Sequence, residues 1–325
     1  MACVAIAIIR VKDLFAVAML SGIYGLLTAS LFVDMDAVDV AFTEASVGAG
    51  ISTLLMLTTV AITGSRDKAV RNKPKLALFA VTLTGVLLIF GTLDMPYFGS
   101  VDAPANLHVA PHYIQNSMQE IGVDNIVTSV LASYRGFDTF GEVVVIFTAA
   151  IGVLTLLSTG RRREEDGVVE KVNTTMHNQY LIIRIVAKML IPFILLFALY
   201  VQFHGDFGPG GGFQAGVIFA AAIILYAMLF GLSVAKRVIN QSVVQLLAAV
   251  GVLIYGSVGI VSLLGGGNFL DYSILSEDPI AGQHLGILLI ELGVGITVAA
   301  VVIIIFFNFA DRIDGPAPEK EGDPS

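Results

Sequence analysis

The sequence predicts an all-α polytopic membrane protein with about eight transmembrane helices and no β domain, and three observations carry that prediction. Of the 325 residues, 56% are hydrophobic and 14% charged, against about 25% charged in soluble domains; the mean hydropathy is +0.85. Apolar runs near 14–33, 38–62, 75–93, 139–158, 181–202, 213–232, 242–264 and 284–307 each approach the roughly 20 residues that cross a bilayer as a helix. Basic residues fall in alternate connections: Arg10 and Lys12; Arg66, Lys68, Arg71, Lys73 and Lys75; Arg161, Arg162, Arg163 and Lys171; Lys236 and Arg237; Arg312 and Lys320. The remaining connections hold Arg135 and are otherwise neutral or acidic, so the positive-inside rule puts both termini of a cell-membrane protein in the cytoplasm.

Composition also excludes function classes. A net charge of −8 without a basic aromatic stripe argues against nucleic acid. The single cysteine, Cys3, rules out an internal disulfide and any cysteine-based cluster or zinc site. Residues 2–9 are apolar but too short to span, and without a basic n-region or cleavage site they do not read as a signal peptide. No phosphate-binding loop, nucleophile elbow or haem-ligand pair is present, so no enzyme chemistry and no cofactor are expected. The lipid bilayer is the first partner.

In chain order, the second span carries Asp39 and Glu44. Ala41, Ala45, Ala49 and Thr53 form an i,i+4 row of small residues beside Glu44, Gly48 and Ser52, which lets a helix approach closely and turns Glu44 toward protein or an internal water chain. Asp39 reads either as a first-turn acid favoured by the helix dipole or as part of an ion path. In the connection 94–138, Pro96, Pro104 and Pro111 make the first half irregular. Ile114, Met118 and Ile121 then recur at helical spacing before a capping Gly122, and a second short helix can start at Asn125. His108 and His112 stand four apart, but with Pro111 between them and no third ligand they do not make a metal site. Arg135, Asp138 and Glu142 share one face at the start of the fourth span, as a charge relay or a structural ion pair.

The linker 160–178, opening Arg-Arg-Arg-Glu-Glu-Asp, divides the chain. The fifth span holds Arg184, placed to snorkel, and Lys188 about two turns in, deep enough to be a candidate partner for a carboxylate, ahead of a kinking Pro192. In the last span Glu291 costs about 2.5–3.5 kcal/mol at helix centre, against about 0.3–0.6 returned by each large apolar residue. It is either a functional carboxylate or a helix-contact hydrogen bond. The tail after Asp311 is proline-rich and expected to be disordered.

The most informative stretch is His204-Gly-Asp206-Phe-Gly-Pro209-Gly210-Gly211-Gly212-Phe213-Gln-Ala-Gly216, a break between two apolar runs. Four glycines and a proline within residues 208–212 cannot continue a helix, and a break beside the bilayer is either a plain turn or an ion-handling site. The run His204-Gly205 followed by Pro209 to Gly216 resembles the signature of the B subunit of Mrp-type multisubunit Na⁺/H⁺ antiporters, with Ala215 a small departure. Asp39 to Ala45 with Val47 to Gly50, and Arg135 to Glu142, resemble small domains otherwise found at the C-terminal end of the large A subunit of that complex. The resemblance implies domains at 1–93, 94–165 and 166–310 before a tail at 311–325. It further implies exchange of Na⁺ for H⁺ driven by the proton gradient, with other membrane subunits as partners, and a place for Asp39, Glu44, Asp138 and Glu142 in the ion path or its coupling region. A redox-driven relative, such as a membrane-bound hydrogenase or complex I-like machine, and a purely structural scaffold remain alternatives.

Overall fold

A computed structural model describes residues 1–66, 74–97, 99–158 and 181–313. Ten helices organise it: α1 (Ala2–Arg10), α2 (Leu14–Asp34), α3 (Val38–Thr63), α4 (Pro74–Thr92), α5 (Val109–Glu120), α6 (Gly136–Ser158), α7 (Leu181–His204), α8 (Gly212–Phe230), α9 (Gln241–Leu264) and α10 (Pro279–Ile313). Eight of them, all but α1 and α5, are long and apolar enough to cross a membrane. Among the described residues there is no strand beyond one isolated bridge between Asp13 and Arg66. The expected linker 160–178 and the tail beyond Ile313 lie outside the described residues.

The core sits on α10, which packs against α9, α8 and α6. Ile287, Ile290, Val294, Val298, Val301, Ile304 and Phe307 repeat every three or four residues along it and are buried, the stripe that a 3.6-residue period places on one face. Glycines set how closely its neighbours approach. A Cβ at Gly216 would lie 2.7 Å from Gly295 O, and one at Gly251 would lie 2.6 Å from Gly293 O, so α8 and α9 meet α10 backbone to backbone. The α2–α3 pair uses the same device: a Cβ at Gly25 would stand 2.8 Å from the Gly48 carbonyl carbon. By contrast Leu78, Phe79, Leu87 and Phe90 of α4 are exposed.

Two elements differ from the sequence expectation. The last helix starts at Pro279, five residues before 284, because Asp278 Oδ1 accepts from Ile280 N at 3.2 Å and proline is pre-shaped for the first helical position. At about 52 Å by helical rise it outreaches a bilayer core of about 30 Å, and His284 lies in its second turn. Within α3, Ala45–Ile51 is a π-helical segment. Its wider turn shifts the register, so the expected i,i+4 rows do not run straight through the helix. The second half of the connection before α6 follows the reading, whereas its first half, expected to be irregular, already carries a helical turn at Pro104–Leu107 and has Pro111 in the first turn of α5, where proline is tolerated. Gly122 stands at φ +80 after α5, Asn125 caps a turn at Ile126–Thr128, and a π-helical turn at Ser129–Tyr134 leads to Arg135.

Candidate functional site

The glycine-rich break closes as a tight turn between α7 and α8. Phe207 N and Gly208 N donate to His204 O at 3.0 and 3.1 Å, and Gly211 N reaches back to Val201 O at 3.1 Å. Gly211 takes φ +126 with an extended ψ as it enters α8, a backbone that side-chain-bearing residues rarely adopt. Other segments hold this turn from outside. Asn125 N donates to Asp206 O at 3.0 Å, and Asn125 Nδ2 lies within reach of Gly208 O at 2.9 Å, Gly205 O at 3.2 Å and Asp39 Oδ2 at 3.4 Å. Thr128 Oγ1 donates to Gly205 O at 2.6 Å. The Asp39 carboxylate accepts from Gly210 N at 3.1 Å, which ties the start of α3 to the break. All of these contacts but the one between the Asn125 and Asp39 side chains satisfy a backbone group of the turn.

Beside this turn lies a cavity of about 350 Å³. Three carboxylates from three helices line it: Asp39 of α3, Glu142 of α6 and Glu291 of α10. Thr43, Thr128, Thr139 and Gln214 add polar groups, while Gly210, Gly211, Gly212 and Phe213 form the wall. No lysine or arginine lines it among the described residues. Glu291 faces the break closely enough that a Cβ on Gly211 would stand 3.1 Å from Glu291 Oε1. The first turn of α8 therefore lies next to Glu291 and Asp39. Chemically the arrangement is a mostly apolar chamber that carries three carboxylates and a few hydroxyl and amide groups, at one end of the bundle.

The other predicted residues fall in different places. Glu44 is half-buried on α3 with its carboxylate folded against Gly48, and it does not line the cavity. Arg135 and Asp138 form an exposed ion pair at 2.6 Å, so two members of the polar triplet pair with each other while Glu142 lines the chamber. Lys188 is exposed on α7 and stays away from the carboxylates; Arg184 lies 5.0 Å from the Phe230 ring centroid. His204 stacks on Tyr200 with centroids 4.9 Å apart. Asp206 points to His284, with Oδ2 at 3.4 Å from Nδ1. Pro209 is exposed, and Gly216 serves helix packing rather than the chamber. His112 contacts Asn116, Glu120 and the Tyr134 ring. Beside Glu120, burial and the carboxylate push the Tyr134 hydroxyl pKa up. Asn125 and Thr128 belong to the site, although sequence patterning does not single them out as members, and His284, seven residues before Glu291 on the same helix, joins them. Asn125 is legible as a helix start, but its reach to Gly205 and Gly208 is a tertiary fact.

Comparison with known proteins gives three family matches in chain order. Residues 1–64 match the D subunit of MBH, residues 85–174 match the E subunit of MBH, and residues 182–304 match "Domain related to MnhB subunit of Na+/H+ antiporter". A probable K(+)/H(+) antiporter A/B subunit of Rhizobium meliloti (strain 1021) is 24% identical over 89% of this chain and 31% of its own length, so this chain spans about a third of that relative. The putative antiporter subunit mnhB2 of Staphylococcus aureus (strain Newman) is 31% identical over 140 residues, 42% of this chain and 97% of the relative. Among solved structures, the Mrp complex from Dietzia sp. DQ12-45-1b superposes with a TM-score of 0.76 at 24% identity, over 97% of this chain and 34% of that one, which bears on fold. A chain of the membrane-bound sulfane sulfur reductase, an archaeal respiratory membrane complex, matches with a TM-score of 0.55 at 29% identity, over 73% of this chain and 98% of that one.

Proposed function

We propose, from the premise that this chain belongs to the family of subunits related to MnhB of Na⁺/H⁺ antiporters, that it is a subunit of a multisubunit monovalent cation/proton antiporter. Its role is to supply the Asp39–Glu142–Glu291 chamber to the ion path or its coupling region. The observation that carries this is the convergence of three carboxylates from three helices on one cavity beside the glycine-rich break, with no basic group in the described lining. Carboxylates and hydroxyls are the ligands that hard cations prefer, and an acid at membrane depth is costly enough to suggest a function. A titrating carboxylate can hand on a proton or hold a cation, so competition between the two at one chamber supports exchange without covalent chemistry. On this reading Glu44 is an accessory acid on α3 outside the chamber, the Arg135–Asp138 pair flanks Glu142 at its edge, and Lys188 on the exposed face of α7 meets the path only through a partner subunit.

The partners are then the other membrane subunits of the complex, and Na⁺ and H⁺ are the transported ions. The units are 1–93, 94–165 and 166–310, the first two corresponding to small domains of the large A subunit. The basic-residue alternation puts both termini in the cytoplasm of a cell-membrane protein and the chamber at the external end.

A second reading is a membrane-arm subunit of a redox-driven complex. Two family matches described by MBH subunits and the likeness to a reductase complex favour it. Purification of the native complex separates the two, since flavin or iron–sulfur absorbance belongs to the redox assembly alone. The direct test is Glu291→Gln and Glu142→Gln, each in the assembled complex. Glutamine keeps the shape but cannot titrate, so each variant should assemble and lose exchange by more than about tenfold. Exchange at the unmodified rate in both would return these acids to a structural role.

A further inference from the structure

His284 has hydrogen-bond acceptors at both ring nitrogens. Nδ1 lies 3.4 Å from Asp206 Oδ2 and Nε2 lies 3.1 Å from Gly122 O. A neutral imidazole carries one N–H, so either tautomer leaves a ring lone pair facing an oxygen lone pair. The doubly protonated ring donates to both. The two acceptors come from different segments: Asp206 from the glycine-rich break, Gly122 from the φ +80 turn that ends α5. His284 itself stands on α10, seven residues or about two turns before Glu291 on the same helix. The ring therefore joins the break, the connecting segment and the helix that carries the chamber acid.

We propose that the imidazolium form of His284 is a proton-dependent latch that clamps the glycine-rich break against the Gly122 turn, positioning the wall of the carboxylate chamber. The latch itself stands on these two contacts, and only its effect on exchange rests on the ion-path reading. The sign follows from the donors. With both nitrogens protonated the clamp is complete; as pH rises through the titration of the ring, one contact is lost and the Gly205–Gly212 segment loosens.

The titratable groups around the ring come from every segment packed against it. Asp206 faces it directly from the break, Asp39 lies on the far side of the same turn through Gly210 N, and Glu291 lies against Gly205 and Gly211. Asp124 follows the Gly122 turn, Glu120 at the end of α5 is engaged by Tyr134, and Asp278 caps the start of α10. His204, on the other side of the break, is stacked on Tyr200. Gln283, next along α10, accepts from Ser133 Oγ at 2.7 Å, so the helix end stays anchored whichever form the ring takes.

The test is backbone hydrogen exchange of the assembled complex in lipid discs, from about pH 5.5 to about pH 8, the range in which histidine titrates, with rates corrected for intrinsic chemical exchange. In the unmodified protein, protection of peptides covering 205–212 and 122–126 should fall by about tenfold across that range, the order expected for losing one charge-assisted hydrogen bond. In His284→Gln the protection should no longer change with pH, and in Asp206→Asn, which keeps the shape and removes the charge, the step should shrink. A flat profile in the unmodified protein overturns the latch, as does a full step that survives in His284→Gln. A step that vanishes in His284→Gln, found alongside normal exchange in Glu291→Gln and Glu142→Gln, upholds the latch and removes the ion-path reading instead.

Discussion

Asn125 joins three parts of the fold through one amide. Its Oδ1 accepts from Val127 N at 2.9 Å as a helix cap, and its Nδ2 faces Gly205 O, Gly208 O and Asp39 Oδ2. Replacing it with alanine removes the cap and the amide donor to Gly208 O, each a loss of about 1 kcal/mol, while Gly205 O keeps Thr128 Oγ1. Asn125→Ala should thus destabilise the chain by roughly 1–3 kcal/mol, read as a lower melting temperature of the detergent-solubilised complex. An unchanged melting curve would mean that water replaces the amide fully. At the same scale, the chamber divides acids that sequence patterning groups together. Glu44 lies five residues beyond Asp39, yet it folds against Gly48 outside the cavity. Glu44→Gln should therefore reduce exchange by less than Glu142→Gln does, and equal losses would show that the path runs the length of α3.

Packing around α10 depends on glycines at backbone contact. A Cβ at Gly251 would stand 2.8 Å from Thr297 N and 2.6 Å from Gly293 O, atoms that cannot swing aside as a side-chain tip can. Gly251→Ala should push α9 from α10 and destabilise by about 1–3 kcal/mol, the usual range for overpacking. Gly152→Ala on α6, where a Cβ would meet nothing within 4 Å, should be neutral or stabilising by up to about 1 kcal/mol from its better helix propensity. A thermal unfolding series of the two variants checks both, and equal effects would contradict the close-approach account. This is also where sequence and structure part company. Hydropathy finds spans because length and apolarity are local properties, and Gly122 and Asn125 are legible because capping chemistry is local too. The start at Pro279 is equally local, yet an apolar-run criterion passes over the capping Asp278. The π-helical segment at Ala45–Ile51 leaves no comparable mark, and it changes which residues of α3 share a face. The meeting of Asp39, Glu142 and Glu291, spread across the chain, depends on those rotations and on how α3, α6 and α10 are arranged, which no spacing within one helix encodes.

Across the whole molecule, the carboxylate chamber lies at one end of the bundle, and large apolar side chains remain exposed on α2, α4 and α7, among them Phe15, Phe79, Phe90, Phe193 and Phe197. Lipid can cover some of these faces. Other helices can cover them as well, and the backbone-close α2–α3 pair shows that this chain forms contacts of that kind. Stand-alone secondary transporters commonly carry two related halves whose broken helices meet at the bilayer midplane. Here the sequence shows no such repeat, and its single glycine-rich break lies near one surface. Lys188, the lysine nearest mid-span on α7, is exposed and not in the chamber lining. A route from one side of the membrane to the other needs further ionisable groups between the chamber and the opposite end, and partner subunits are the natural source. Purified alone and reconstituted in liposomes, the chain should therefore show no Na⁺- or K⁺-dependent proton flux above empty vesicles. Tagged and extracted from its host in mild detergent, it should bring down several polytopic proteins, and flux should return when they are reconstituted together. Robust exchange by the isolated chain would show that it holds a complete path, and recovery without partners would show that its exposed apolar faces meet lipid alone.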